Sequence, residues 1–424
     1  MKNRNYKILA IICLLFVFVL PVYAQQAMSG VLIHSSNVYE YKGKIPLELY
    51  PLVKNNGFVF DVVSGLKYQV SYGENWKQGQ EDIAQIDENG KLKQLFPLEN
   101  GFLYELNDGT LKENSKKAIE KILWNIQSVY WSKPLSRYQF NIKVLQDEDV
   151  VRELQGEIER LYNWRLVVED KSSQFFREVV TLKKPAILEN YTWLTYRFFG
   201  QEEDMVWVYS PAIKNSRELT GSNRSDEYAG VVALDDFFLW SGKLENVEGS
   251  DIKEVEILTP FATNTLASLQ TNDGSCYSIK DTFSFSELQT RWNYGSRKYA
   301  QGASWLPTDA VYTLRKSYKI DLFSKDPFSQ YGRQTLYADA ESMLPVYKFV
   351  YDRSGKLWKT LIMFYGFAKD KKDLQVPYPS QMLIVDDKKS TVAMFDYFGS
   401  NYCTDFPAKY DLTKFDPRKI GKKE

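Results

Sequence analysis

Leu344-Pro345-Val346-Tyr347-Lys348-Phe349-Val350-Tyr351-Asp352-Arg353-Ser354-Gly355-Lys356-Leu357-Trp358-Lys359-Thr360-Leu361-Ile362-Met363-Phe364-Tyr365-Gly366-Phe367 reads as two β-rich runs around a tight turn. β-Branched and aromatic residues recur on both sides, and Asp352-Arg353-Ser354-Gly355 is a turn sequence. Strands joined so closely pair antiparallel.

The same pattern extends outward. It predicts strands over 58–62, 176–182, 191–199, 204–209, 255–258, 311–321, 332–338, 344–352, 357–367, 381–386 and 391–398, with a second tight turn at Asp386-Asp387-Lys388-Lys389. The chain is therefore expected to be mainly β, an antiparallel meander. Helical signal is confined to the first third. From Ser115 to Trp131 the apolar residues Ala118, Ile119, Ile122, Leu123, Ile126, Val129 and Tyr130 make one stripe. A second helix is expected over 149–162, with Val150, Val151, Leu154, Ile158 and Leu161 on one face and Gly156 inside it.

Residues 1–24 have a basic start (Lys2, Arg4, Lys7), an apolar run from Ile8 to Leu20 and Pro21-Val22-Tyr23-Ala24, the order of a secretory signal peptide cleaved before Gln25. Cys13 lies inside the apolar run after Ile12, so it is not read as a lipoprotein cysteine. The mature chain, 25–424, is expected to form one domain, with 25–165 as a helix-containing segment covering the sheet. Losing Lys2, Arg4 and Lys7 from 54 basic residues leaves 51 against 54 acidic ones, a balance that argues against nucleic acid as a partner. Of the remaining cysteines, Cys276 and Cys403 can pair in an oxidising compartment, and the sequence leaves paired and free equally open.

Catalytic and metal chemistry find little to build on. His34 is the one histidine, which rules out sites needing two imidazoles, and no phosphate loop or dinucleotide fingerprint is present. No cofactor or metal is expected. Glu202-Glu203-Asp204 reads as a solvated hairpin tip, and Asp235-Asp236 as a cap or turn before Phe237-Phe238-Leu239-Trp240. Aromatic content is high, with 29 Tyr, 25 Phe and 10 Trp, which suits both a β core and an apolar cavity for a hydrophobic ligand. Trp193, Trp207, Tyr209, Phe238, Trp240, Tyr347, Phe349, Tyr351 and Trp358 are the pool from which a cavity lining is expected.

Several spaced signatures carry a family resemblance. They are Lys121-Ile122-Leu123-Trp124-Asn125, Trp207-Val208-Tyr209-Ser210-Pro211 with Lys214 and Arg217, Asp235-Asp236-Phe237 with Trp240 and Gly242, and Thr259-Pro260-Phe261. Tyr312, Leu314 and Arg315, the run Arg333 to Asp339, Tyr351 to Lys359, and Phe415-Asp416-Pro417-Arg418 follow in order. The mature chain resembles a Gram-negative family of exported proteins, described as a domain of unknown function or as outer-membrane lipoprotein-sorting proteins, with a fold like the LolA and LolB carriers. That family's arginine run after the Trp-x-Tyr strand is interrupted here by Asn215, Ser216 and Glu218.

The resemblance implies a strongly curved antiparallel sheet, a half-open β-barrel closed by helices around an apolar interior. It further implies a non-catalytic periplasmic carrier of a lipid, lipoprotein or other hydrophobe, working with an inner-membrane transporter of the resistance-nodulation-division (RND) type. Lys214, Arg217, Asp235 and Asp236 would be head-group or partner contacts, and the basic tail from Lys419 to Lys423 can touch acidic membrane head groups. Two other readings remain: an adaptor subunit of a transporter or outer-membrane assembly that binds no lipid, and a carboxylate-dependent hydrolase. The last requires Asp235 or Asp236 to face another acid across an open cleft.

Overall fold

Alternation of side chains to opposite faces lets one strand serve two interiors, and the protein uses this throughout a single large sheet. The computed structural model describes residues 30–66, 68, 85–86, 92–94, 115–130, 135–162, 174–198, 200, 202–272, 276–280, 285–369, 375–403 and 411–421. Residues 1–24, expected to be a signal peptide, lie outside the described residues. The N-terminal part contributes β1 (Val31–Ile33), a short helix α1 (Tyr50–Asn55), β2 (Phe60–Val62) and a small hairpin of β3 (Gln85–Ile86) and β4 (Leu92–Gln94). Helix α2 (Ser115–Tyr130) follows, as the apolar stripe predicts.

The next strands are β5 (Leu135–Gln146), β6 (Asp149–Tyr162), β7 (Gln174–Lys184), β8 (Thr192–Phe198), β9 (Met205–Ser210) and β10 (Asn215–Thr220). Two-residue strands β11 (Glu227–Tyr228) and β12 (Val232–Ala233) pair with each other. Then come β13 (Val247–Phe261), β14 (Ala267–Asn272), β15 (Cys276–Lys280), a helical turn α3 (Asn293–Ser296), β16 (Val311–Ser324) and β17 (Tyr331–Asp339). The chain closes with β18 (Pro345–Asp352), β19 (Leu357–Lys369), β20 (Gln375–Asp386) and β21 (Thr391–Cys403).

Seventeen of these strands form one sheet. Its backbone is the antiparallel succession β13, β16, β17, β18, β19, β20, β21, β5, β6, β7, β8, β9, β10. The sheet then curls onto itself. Phe261 at the end of β13 pairs parallel with Tyr365 of β19, so β13 and β16 to β19 make a ring. β14 pairs parallel with β19 at Ala368 and Lys369, and β15 pairs with β21, so a second ring shares β19. Cys276 and Cys403, register partners across β15 and β21, are joined by a disulfide with Cα atoms 4.0 Å apart. Both parallel contacts sit at the C-terminal end of β19, and this closes the curl at one end only. The fold is mainly β, a curved and half-open sheet.

The helix expected over 149–162 is instead β6, at the middle of the sheet, so these residues do not cover it. Leu154 and Ile158, four apart, fit a helical stripe and a strand face equally well. The even-numbered positions from Leu154 to Tyr162 are buried, which is the strand period. Gly156 decides the matter physically, because a Cβ there would lie 2.4 Å from the Phe140 ring of β5, which packs over it. The predicted turns form as expected. Asp352 Oδ1 accepts from the Ser354 and Lys356 amides with Gly355 at φ 82°, and Asp386 Oδ1 accepts from the Lys388 and Lys389 amides. β10 was not expected; Asn215–Thr220 has no apolar alternation because it is an exposed edge strand, paired with β9 alone.

Helix α2 packs its Ile119 against Gly249 of β13, where a Cβ would come within 2.6 Å of Ile119 Cγ2. Its Trp124 meets Phe175 at 5.5 Å between ring centroids, and Gln127 Nε2 donates to the Gly242 carbonyl at 2.8 Å. The helix therefore holds the segment in which the candidate site lies.

Candidate functional site

Between β10 and β13 the chain abandons long elements and lies across the sheet. Residues 234–243 form a tongue: a single 3-10 turn (Leu234–Asp236), then a tight loop closed by the Ser241 amide donating to the Asp235 carbonyl at 2.9 Å. Phe237 and Phe238 point into the sheet. Phe237 packs on Phe140 and Phe395, and Phe238 on Tyr138 and Tyr397. Phe238, Leu239 and Trp240 are all buried. Phe238 (φ 54°) and Leu239 (φ 72°) are consecutive left-handed residues, a conformation costing a non-glycine residue on the order of 1–2 kcal/mol.

Two networks of buried charge hold the tongue, one through each aspartate. On the β6 to β8 side, Glu178 accepts from Arg160 Nε at 2.9 Å and from Arg224 Nη1 at 3.0 Å. Arg224 also donates to Thr195 at 2.7 Å and to Asp235 at 2.9 Å. Arg197 donates to Asp204 at 2.8 Å and to the Ser241 carbonyl at 2.8 Å, and Arg160 reaches the Ser241 hydroxyl at 2.7 Å. Burial opposes ionisation of Glu178, but Arg160 and Arg224 outweigh it and hold its pKa below the usual carboxylate range. On the other side Asp236, 0% exposed, takes Lys348 Nζ at 2.6 Å and the Tyr331 hydroxyl, with Lys359 Nζ 3.9 Å away. Burial again opposes ionisation, and the two lysines with Tyr331 reverse it, so the Asp236 pKa is lowered. Burial and the neighbouring Asp236 charge push the Tyr331 phenol well up, so it stays a donor.

The expected site residues do not form one site. Trp193, Phe238, Trp240, Asp235 and Asp236 come together around the tongue, Trp193 packing edge-on to Tyr228 at 5.9 Å. Trp207 and Tyr209 lie in a separate cluster on the opposite face, with Tyr196 and the C-terminal residues Phe415 and Ile420. Tyr347, Phe349 and Tyr351 face away from the tongue. Tyr347 and Phe349 stack at 6.3 Å, the Tyr347 hydroxyl donates across the first ring to the Leu258 carbonyl at 2.6 Å, and Tyr351 donates to Glu48 at 2.8 Å. Trp358 is buried beside Tyr331 and bonds Asp386 through Nε1 at 3.1 Å. Lys214 sits in the β9–β10 turn and Arg217 on exposed β10, both away from the tongue.

Two expectations need correction. Asp204 is buried and ion-paired with Arg197, so only Glu202 and Glu203 of the hairpin tip are exposed. Asp235-Asp236 is more than a cap, since its two carboxylates anchor opposite wings of the sheet. Asp236 faces lysines and a tyrosine, while Asp235 shares the buried Arg197 guanidinium with Asp204, at 3.7 and 2.8 Å, so a cation stands between the two acids. The inner partners Arg160, Glu178, Arg197, Arg224, Tyr331, Lys348 and Lys359 escaped the sequence reading. The usable signal was charge at inward positions of apolar strands, as in Lys348 between Tyr347 and Phe349.

Among the described residues, the interior beside the tongue is occupied by Phe237, Phe238 and the rings they pack on. A hollow of about 40 Å³, bordered by Asp235, Trp240, Lys243 and Tyr331, has room for little more than a water or two. It shares Gly221, Ser222, Lys243, Asn246 and Asp326 with an outer hollow of about 360 Å³ that opens past Phe328. Phe328 is 82% exposed.

A curved, half-open, mainly β sheet around an ion-paired tongue is the class of structure these residues define. The chain belongs to the family described as Protein of unknown function (DUF1329), whose model matches residues 32–420. Among solved structures it is similar to a putative outer membrane lipoprotein-sorting protein domain from Vibrio parahaemolyticus (12% identity, TM-score 0.46, covering 71% of this chain and 97% of that one). It is also similar to a DUF1329 family protein from Desulfovibrio piger (14%, TM-score 0.46, 72% and 98%) and a LolA superfamily protein from Nitrosomonas europaea (15%, TM-score 0.39, 68% and 95%). No curated protein matches the chain in sequence. Among the described residues, no helix is long and apolar enough to cross a membrane.

Proposed function

We propose that residues 25–424 form a single-domain periplasmic carrier, exported by the signal segment 1–24 and non-catalytic, which binds the apolar part of a lipid, lipoprotein or other hydrophobe against the inner face of the curved sheet. The observation that carries this reading is the tongue. The aromatic inner face of β5 and β21 is covered by a short irregular segment held through charges, not by a second layer of strands or helices. Burying an acyl chain there gains about 0.8 kcal/mol per methylene, enough to hold a molecule that water would not carry. The Cys276–Cys403 disulfide suits an oxidising compartment. An RND-type transporter as the donor or acceptor, and contact with the outer membrane, follow from the family resemblance alone.

Native mass spectrometry of protein purified from the periplasm tests the reading. Protein arriving with lipid mass that organic extraction removes supports the carrier. Protein arriving empty, and failing to take up palmitate in vitro, overturns it in favour of an adaptor.

A further inference from the structure

Carriers need a place for cargo, yet the inner face here is occupied by Phe237 and Phe238. The way these residues are held differs from ordinary core. They lie on ten residues without strand structure, pass through two successive left-handed non-glycine positions, and are tethered by side chains reaching in from both wings. An approach to the tongue exists at its Trp240 end, where the 40 Å³ hollow, bordered by Asp235 and Trp240, meets the 360 Å³ vestibule and Phe328 stands exposed at the mouth. An apolar ring at the entrance and apolar rings at the bottom, separated by a polar neck of Asp235, Lys243 and Asn246, describe a path for an amphiphile.

We propose that the volume occupied by Phe237 and Phe238 is a cryptic binding site for an acyl chain, and that the tongue is an internal stand-in for the cargo, displaced as the chain enters through the vestibule. The inference rests on the carrier reading and adds where the cargo goes and what leaves to admit it. Chemically the exchange is like for like. Phenyl groups leave the Phe140, Phe395, Tyr138 and Tyr397 surface and methylenes replace them, so the sheet's apolar surface is never left to water. The left-handed pair makes this exchange easier, because withdrawal releases Phe238 and Leu239 from a costly conformation. The networks set the resting position: each must slacken for the tongue to move, and both re-form when the cargo leaves.

Hydrogen–deuterium exchange across 234–243, with and without saturating palmitate, tests the displacement in the wild-type chain. Exchange at least tenfold faster in the complex is expected. Palmitate bound with the tongue's protection unchanged or increased overturns the displacement and leaves the carrier reading standing. Two variants extend the test by affinity. Ser241→Ala removes the hydroxyl that Arg160 holds, and is expected to tighten palmitate binding about threefold. The double change Phe237→Ala and Phe238→Ala vacates the site, and is expected to tighten it at least tenfold. If neither variant differs from wild type although palmitate binds, the site lies elsewhere and the inference fails. If no form binds palmitate, the acyl-chain site is refuted, and the carrier reading falls with it when protein from the periplasm also arrives empty.

Discussion

The sheet encloses two interiors, and they are filled in opposite ways. In the ring of β13 and β16 to β19 the space is filled mainly by side chains of the paired strands, with Phe60 of the adjoining β2 against Tyr312 at 4.7 Å: Tyr347 spans from β18 to β13, and Tyr312 of β16 meets Phe364 of β19 at 6.2 Å. Beside β5 to β8 and β21 the filler is the tongue, a separate stretch of chain. Side chains belonging to a wall cannot leave without unfolding it, whereas a tongue can withdraw while the walls stay paired. β18 shows how one strand serves both: Tyr347 and Phe349 face the ring, and Lys348 between them reaches Asp236 on the tongue. Rigidity and mobility are thus assigned to alternate residues of the same strand.

That contrast can be broken most directly at Asp236. Asp236→Asn leaves Lys348 buried without its counter-charge, while Lys359 keeps Glu227 at 3.2 Å, and should cost about 3–5 kcal/mol in urea denaturation, if the tongue is fastened as the geometry says. A loss under 1 kcal/mol would mean the network holds nothing. The same carboxylate, with Glu178, sets the acid limit. Both have pKa values below those of the unfolded chain, so the stability they give is complete above about pH 5 and drains away as pH falls through their folded values. Stability should therefore fall on acidification below about pH 4, and Asp236→Asn should flatten that slope.

The second ring is probed by removing its clasp, the bridge between β15 and β21. Replacing Cys276 and Cys403 together by serine should cost about 2–4 kcal/mol in thermal or urea unfolding, while the exchange rates of 234–243 stay as they are. Faster exchange in the tongue would show that the two interiors are coupled after all. The smallest expected effect is Tyr347→Phe, which loses only the hydrogen bond to Leu258 and should cost about 1 kcal/mol with no change in palmitate affinity.

The hairpin 344–367 could be read from sequence because its signals are local: turn chemistry at Asp352 to Gly355 and β-rich runs either side. Residues 149–162 could not, because a four-residue spacing satisfies two periods at once and the deciding contact, Phe140 over Gly156, comes from another strand. The site was half legible. Asp235, Asp236, Phe238 and Trp240 stood out as a cluster in one short stretch. Their partners did not, since Lys348 lies 112 positions from Asp236, and Arg160 81 positions from Ser241. Of the aromatic pool, Trp193, Phe238, Trp240, Tyr347, Phe349 and Trp358 are buried and Trp207, Tyr209 and Tyr351 half-buried, and which interior each enters depends on strand parity and curl. So Trp207 and Tyr209 lie on a face remote from Trp240.

The pairing of β5 with β21 joins the first long strand of the chain to its last, as in Phe140 against Tyr397. A polypeptide delivered amino end first must wait, with one margin of β5 unzipped, until nearly its whole length has arrived. Assembly is then governed by the slowest and most distant partnership in the molecule. A chain still being delivered spends that interval offering the open border of β5, with Tyr138 and Phe140, to its surroundings, and the late strand Thr391–Cys403 is the one that seals it.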